Sequence, residues 1–379
     1  MKRILLNQLE IDKSANPARL LAALARHEVP IVDDTSVTFV FQGQADRVFV
    51  RHWVYGLPQA MEMYRIGGTD LWFYRLQFPD GSRIEYKFGV ITNGNEQWVH
   101  DPGNRNTAMD PFGGNSVVHC PGYVTPEWTI RDDAVPTGSL VNFDLHSQSF
   151  GEHRTIRVWL PPGYRDYRRY RLLVVHDGDD YMRYSALGVV LENLMASLEI
   201  PPMIVALSNP HDRLREYAND ARHAEHIVGE LVPELEKRYP LIREASGRCL
   251  MGASFGGVAS LSTAWRYPDS FGSLILQSGS LAFTDIGQHS RSPVFDQVVE
   301  FTNEFRRNPG KPAERIFMSC GTYESLIYEN RSMAPFLQSH GMEVNFVESR
   351  DGHNWENWRD RLRDALSWIF PGPLWVTYL

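Results

Sequence analysis

The chain has 379 residues, of which 43% are hydrophobic and 22% charged, and its formal charge is −8. That length exceeds one domain of roughly 100–200 residues, so two domains are expected. No run of Lys or Arg is built to track a phosphate backbone, which argues against nucleic acid as a partner.

The three cysteines, Cys120, Cys249 and Cys320, stand far apart and form no CxxC. Neither zinc nor a redox pair is suggested, and they read as reduced thiols. The apolar start Ile4-Leu5-Leu6 breaks at Asn7 and soon meets Glu10, Asp12 and Lys13, too early for a secretory leader. No stretch approaches the roughly 20 apolar residues of a membrane span. The expectation is a cytoplasmic protein with no membrane partner.

In chain order, Ser14 to Glu28 repeats apolar residues at helical spacing behind Pro17, which predicts a short leading helix. From Ile31 the texture changes to short β-branched and aromatic runs: Val37–Phe41, Arg47–Arg51, Leu71–Leu76 and Ile84–Phe88. Gly, Asp, Asn and Pro separate them, which predicts an all-β sandwich. Asp101 to Gly122 reads as a long irregular stretch. Val141–His146 and Thr155–Leu160 read as a strand pair joined by a polar turn. After them, apolar runs alternate with helical segments: Leu172–Val175, Met203–Leu207, Arg248–Gly252, Ser273–Leu276, Arg315–Ser319 and Val344–Glu348. One helix is predicted over His223–Tyr239. Nearly unbroken apolar strands suit a parallel sheet buried on both faces. The fold class is therefore α/β: a doubly wound, mainly parallel sheet behind a smaller all-β domain.

Gly252-Ala253-Ser254-Phe255-Gly256-Gly257 lies between a predicted strand and a helix of small residues closed by Pro268. A serine on so tight a turn adopts a strained backbone, and flanking glycines let neighbouring chain approach. Its hydroxyl then projects beside the N–H groups of a helix start. Ser254 is the expected nucleophile. Of 13 histidines, His353 follows the last predicted strand and lies C-terminal to the serine, the order that this chemistry uses, whereas His176 precedes it. The acid that orients the imidazole should follow the strand at Arg315–Ser319. Glu324 is preferred there, with Glu329 and Asp351 as competitors.

An oxyanion hole needs two N–H donors. Phe255 is expected to supply one and Asp179, in the loop after Leu172–Val175, the other. His176, Asp177, Gly178, Arg213, Glu216, Tyr217 and Trp355 are candidate pocket residues. The spacing of Arg213 and Glu216 favours an ion pair between them. Trp355 and Trp358 read as core or pocket wall, and Trp53 and Trp72 as core rather than ligand-stacking residues. No metal or cofactor is expected.

Leu-Val-Val-His-Asp-Gly-Asp-Asp-Tyr (173–181), Asp-Arg-Leu-Arg-Glu-Tyr (212–217), the Ser254 turn, Cys-Gly-Thr-Tyr-Glu (320–324) and Gly-His-Asn-Trp-Glu-Asn-Trp-Arg (352–359) together resemble the enterochelin esterase/esterase D group. That group is related to feruloyl esterases and mycolyltransferases. The resemblance runs from about Asp132 to Phe370 and implies Ser254, His353 and Glu324 as a triad. Gly68–Phe73, Ile84–Phe88 and Asp101-Pro102 resemble the early-set immunoglobulin-like domain of enterochelin esterases. The implied organisation is a helical segment at 1–29, an immunoglobulin-like sandwich at 30–131 and an α/β-hydrolase catalytic domain at 132–379.

The expected function is carboxylic ester hydrolysis by a serine esterase with an acyl-enzyme intermediate. Its partner would be a small-molecule siderophore, aryl or sugar ester, and a homo-oligomer is left open. Two alternatives stand beside it. One is a feruloyl- or acetyl-type carbohydrate esterase or acyltransferase on the same triad. The other is a carbohydrate-binding protein on an inactive hydrolase scaffold.

Overall fold

The computed structural model describes residues 28–284 and 292–372. The leading helix expected from Ser14 falls almost wholly outside them. The described chain forms two compact units. The first holds the described residues up to Thr125 together with Gly321–Ser325 and Ser349–Asn354, and the second holds the remainder.

The first unit is all-β. One antiparallel sheet takes the order β1-β2-β6-β5, built from β1 (Ile31–Asp33), β2 (Ser36–Gln42), β5 (Tyr64–Arg65) and β6 (Leu71–Gln77). The other runs β4-β3-β7-β10-β9, from β3 (Arg47–His52), β4 (Ala60–Glu62), β7 (Arg83–Thr92), β9 (Thr107–Asp110) and β10 (Gly113–His119). A hairpin strand, β8 (Asn95–Val99), pairs with β7. Both sheets feed one core, in which Val37, Phe39 and Trp72 meet Val48, Val50, Tyr86 and Phe88. Phe39 packs edge-on against Tyr86 at 4.7 Å, a favoured aromatic geometry. The hairpin of β9 and β10 corrects the irregular stretch expected from Asp101 to Gly122. Its Gly113-Gly114-Asn115 start lacks the β-branched signal, and pairing with β7 supplies the order instead. Trp72 is core as expected, but Trp53 is 45% exposed just past the end of β3 and lies 6.3 Å from Trp98.

The second unit is built on one eight-stranded sheet in the order β11-β12-β14-β13-β15-β16-β17-β18. Its strands are β11 (Ser139–Ser147), β12 (Glu152–Leu160), β13 (Arg171–His176), β14 (Met203–Ser208), β15 (Arg248–Ala253), β16 (Ser273–Gln277), β17 (Arg315–Gly321) and β18 (Glu343–Ser349). The first two are antiparallel, and the run from β14 through β13, β15 and β16 to β17 is parallel. Because side chains alternate across a strand, each central strand feeds two cores. Leu172, Val174, Leu250, Leu274 and Leu276 join one, and Leu173, Val175, Cys249, Met251 and Ile275 the other. Their middles are apolar on both faces, which is why these runs are legible as strands.

Helices cover both faces. After β13 come α1 (Gly178–Tyr184) and α2 (Leu187–Ala196), and α2 buries Leu187, Val190, Leu191 and Leu194 in the second core. After β14 come α3 (Arg213–Tyr217), α4 (Ala221–Glu225) and α5 (Val232–Arg238). A π-helical stretch at His226–Leu231 joins the last two, where one regular helix was expected. Pro233 has no N–H to donate into the preceding turn, so a wider hydrogen-bond pattern there is tolerated. Then follow α6 (Phe255–Arg266), α7 (Asp296–Arg307), α8 (Ile327–Ser339), α9 (Trp355–Asp360) and α10 (Leu362–Ile369). From β13 the chain first moves outward to β14, then returns to place β15 on the other side of β13. In an open α/β sheet this reversal opens a crevice at the strands' carboxyl ends, where ligands bind. Among the described residues, no helix is long and apolar enough to cross a membrane.

One buried ion pair ties β12 to α3. The Arg154 guanidinium donates to Glu216 through Nη1 (2.8 Å) and Nη2 (3.0 Å). Burial pushes the Glu216 carboxyl up, but the nearby His223 and the hydrogen bonds from Arg154 outweigh it and hold the group far below the usual carboxylate range. Breaking such a pair strands a charge, so Arg154→Met is expected to lower stability by about 3–5 kcal/mol in urea unfolding. The native pKa lies below the unfolded value of about 4.3, so Glu216 stabilises above that pH and the benefit is lost as pH falls. Glu216→Gln should accordingly flatten stability against pH on the acid side.

Candidate active site

At the carboxyl end of β15 the chain turns directly into α6 through Ser254, whose backbone has φ 56° and ψ −120°. Such a conformation costs a side-chain-bearing residue about 1–3 kcal/mol, so the surroundings must over-determine it. They do so through backbone hydrogen bonds. The Ser254 N–H donates to Gln277 O (2.9 Å), and its carbonyl accepts from Gly257 N and Ser280 N, each at 3.1 Å. Glycine is needed because the turn is tight. A Cβ on Gly252 would lie 2.3 Å from Gly256 O, and one on Gly257 would lie 3.2 Å from Gly279 Cα. Ser254 Oγ lies 3.1 Å from Ser280 Oγ, a neighbour that no sequence spacing announces. Phe255 opens α6, so its N–H is among the first-turn donors that a helix cannot satisfy internally.

Beside this turn ends β13. His176 is fully buried, which takes it off any pocket wall. Ser260 Oγ donates to Gly256 O (2.9 Å), so the 3.0 Å contact between Ser260 Oγ and His176 needs a proton on His176 Nδ1. Its Nε2 then accepts from His223 Nε2 at 2.9 Å. Burial, reinforced by His223, pushes His176 well below the usual imidazole range and keeps it neutral. This histidine braces the backbone of the Ser254 turn. His223 had no signal of its own beyond lying on a predicted helix.

Asp177 takes a left-handed backbone (φ 54°, ψ 41°) ahead of α1. Its carboxylate accepts from Arg213 Nε (2.9 and 3.0 Å) and Nη2 (2.7 Å), and its N–H donates to Tyr217 Oη (3.0 Å). The expected pair of Arg213 with Glu216 is therefore corrected. Arg213 pairs with Asp177 at the end of β13 and Glu216 with Arg154 of β12, partners that local spacing cannot reveal. Gly178 is buried at the start of α1. The Asp179 N–H donates to Asn209 Oδ1 (3.1 Å) and its carboxylate pairs with Arg157 (2.8 Å), so an oxyanion could use that N–H only by displacing Asn209. Trp355 packs edge-on against Tyr181 (5.3 Å) and Trp358 (4.8 Å).

Glu324 and His353 lie in the segments that follow β17 and β18 and pack within the first unit. Glu324 is buried. Its Oε1 accepts from Gly321 N (2.6 Å) and its Oε2 from His353 Nδ1 (2.6 Å). A carboxylate can only accept, so the proton sits on Nδ1 and Nε2 keeps the lone pair of a general base. The imidazole is 38% exposed over an acid that is almost entirely enclosed. The competitors are elsewhere. Glu329 is buried in the first turn of α8. Asp351 accepts from Arg83 Nη1 (3.3 Å) and Asn354 Nδ2 (2.7 Å), and burial pushes its carboxyl up to about 7 against the pull of Arg83. Among the described residues no three His, Cys, Asp or Glu side chains gather as a metal site.

Residues 147–369 match the model of the family described as "Putative esterase". An iron(III) enterobactin esterase of Dickeya dadantii is 26% identical over 358 residues, spanning 83% of this chain and 80% of that protein. The crystal structure of a ferric enterobactin esterase from Salmonella typhimurium has a TM-score of 0.74 at 20% identity, covering 92% of this chain and 98% of that one. A ferulic acid esterase structure has a TM-score of 0.54 at 20% identity, covering 62% and 98%. The family match spans more than half of the chain and the fold is enterochelin esterase-like, so the chain belongs to the esterase family and is an ester hydrolase.

Proposed function

We propose that this esterase works through an acyl-enzyme on Ser254, with His353 as general base and Glu324 as the carboxylate that orients it. The reading is carried by the Ser254 backbone, a positive φ on a side-chain-bearing residue held at the start of a helix. The 2.6 Å bond between His353 and Glu324 supports it. His353 Nε2 takes the hydroxyl proton as Ser254 Oγ attacks the ester carbonyl, and the charge develops on the carbonyl oxygen. The Phe255 N–H is the first oxyanion donor, and Asp179 remains the proposed second, once released from Asn209. Collapse expels the alcohol, which takes the proton from His353. Water, deprotonated by the same nitrogen, then releases the acid and restores Ser254.

The proposed substrate is a siderophore ester of the enterobactin kind. The enterobactin esterase relative aligns over 83% of this chain, too much to leave out all of the all-β unit, whereas the ferulic acid esterase structure covers 62%. An aryl or sugar ester of the feruloyl kind is the second reading, resting on that structural neighbour. We read residues 30–131 as an early-set immunoglobulin-like sandwich, supported by two antiparallel sheets around one core, and 132–379 as the catalytic domain. A cytoplasmic site of action is part of this reading, supported by three buried free thiols.

Ser254→Ala is expected to lower p-nitrophenyl acetate turnover by at least about 10⁴-fold; a rate near wild type would remove Ser254 from the mechanism. Glu324→Gln, which keeps the shape but loses the fixed tautomer, should lower kcat by about 10²–10⁴-fold. Chromatography of products from ferric enterobactin and methyl ferulate separates the two substrate readings. Faster turnover of the siderophore is the expected result, and exclusive turnover of the ferulate would reverse the assignment.

A further inference from the structure

We infer that Arg83, on β7 of the all-β unit, is a positioning residue for the general base, fixing the loop that presents His353. This rests on the reading of His353 and Glu324 given above. Arg83 is fully buried, and Arg350, Asp351, Asn354 and Glu85, which it holds, lie within the first unit. Its backbone N–H donates to Arg350 O at 2.9 Å. Its Nη1 reaches both Asp351 oxygens (3.3 and 3.4 Å) and Asn354 Oδ1 (3.0 Å), so one guanidinium grips the chain on both sides of His353. On its other side Nη2 donates to Glu85 Oε1 (2.9 Å), and Glu85 Oε2 accepts from Asn115 Nδ2 (2.7 Å), which fixes the guanidinium plane against β10.

The loop cannot turn freely once gripped. Asp351 Oδ1 also accepts from Gly352 N and Asn354 Nδ2, each at 2.7 Å, closing a compact turn around His353. The acid's segment is held from the same unit. The Asp351 carbonyl accepts from Tyr323 N (3.1 Å), Thr322 N donates to Ser349 O (2.7 Å), and Tyr55 N donates to Tyr323 O (2.8 Å). The Tyr323 hydroxyl meets Ser82 Oγ at 2.5 Å, and Ser82 precedes Arg83. The strand end Ser82-Arg83 thereby sets the spacing between the acid and the base. A planar fork can hold two acceptors in one plane, which an ammonium does less well.

The test compares Arg83→Gln, Arg83→Lys, Asp351→Asn and His353→Ala in the full chain. For Arg83→Gln, kcat on p-nitrophenyl acetate should fall by about 10²-fold, as expected when a reacting group is misplaced by about 1 Å, with KM little changed. Arg83→Lys should recover part of the rate. The second readout is the strongly deshielded proton NMR signal of His353 Nδ1–H on Glu324. It should broaden or vanish in Arg83→Gln, whereas a merely structural residue would leave it in place in the folded fraction. A folded Arg83→Gln enzyme with wild-type kcat and an unchanged signal overturns the proposal. Where Arg83→Gln does not fold, the isosteric Asp351→Asn decides by the same two readouts, with loss supporting the proposal and wild-type values overturning it. His353→Ala keeps the two readings apart. If it is inactive while Arg83→Gln is unaffected, only the positioning role falls, and if it is active, the base assignment itself falls.

Discussion

The second unit depends on a turn that its own backbone resists. Ser254 must leave a buried strand and begin a helix within one residue, and no relaxed conformation of a side-chain-bearing residue does that. The strain is tolerated because the turn is enclosed by main chain on every side: Gln277 above the serine amide, Ser280 and Gly257 on its carbonyl, and Gly252 pressed on Gly256. The neutral His176 underneath ties Ser260 of α6 to β15. A rigid sheet with two dry cores is what makes such over-determination possible, since packed interiors do not yield gradually.

Electrostatics follows the same logic. Buried carboxylates pair with arginines from other elements: Glu216 with Arg154, Asp177 with Arg213, and Asp351 with Arg83. Each pair fixes one element on another. Glu324 differs in having a backbone amide and an imidazole as its partners.

Much of this was legible in the residues. The sheet strands are nearly unbroken apolar runs, because both their faces are buried, and the Ser254 turn carries its glycines in sequence. Position after the strands is what singles out His353 as the expected base. The misses have a common cause. The partners of Arg213, Glu216 and Asp351 lie tens to hundreds of residues away, so spacing along the chain says nothing about them. The hairpin at Thr107–His119 is built from glycine and polar residues whose order comes from β7, and Trp53 lies one residue past a strand where apolar character no longer means burial. Spacing leaves Glu324, Glu329 and Asp351 all near the expected place, and it does not reveal that Glu324 accepts from His353 and Asp351 from Arg83.

The first unit is discontinuous in the chain, gathering Gly321–Ser325 and Ser349–Asn354 to a β-rich body some two hundred residues upstream. Compactness and chain order thus divide the molecule differently, and a boundary drawn by sequence cuts through the structure's own. Heredity acts on the sequence boundary, since recombination exchanges contiguous stretches. An exchange near residue 130 would transmit Glu324 and His353 without the strand they were fitted to. A chimera of two such proteins joined there would bring the eleven residues of those two segments to a β-rich part they were not fitted to.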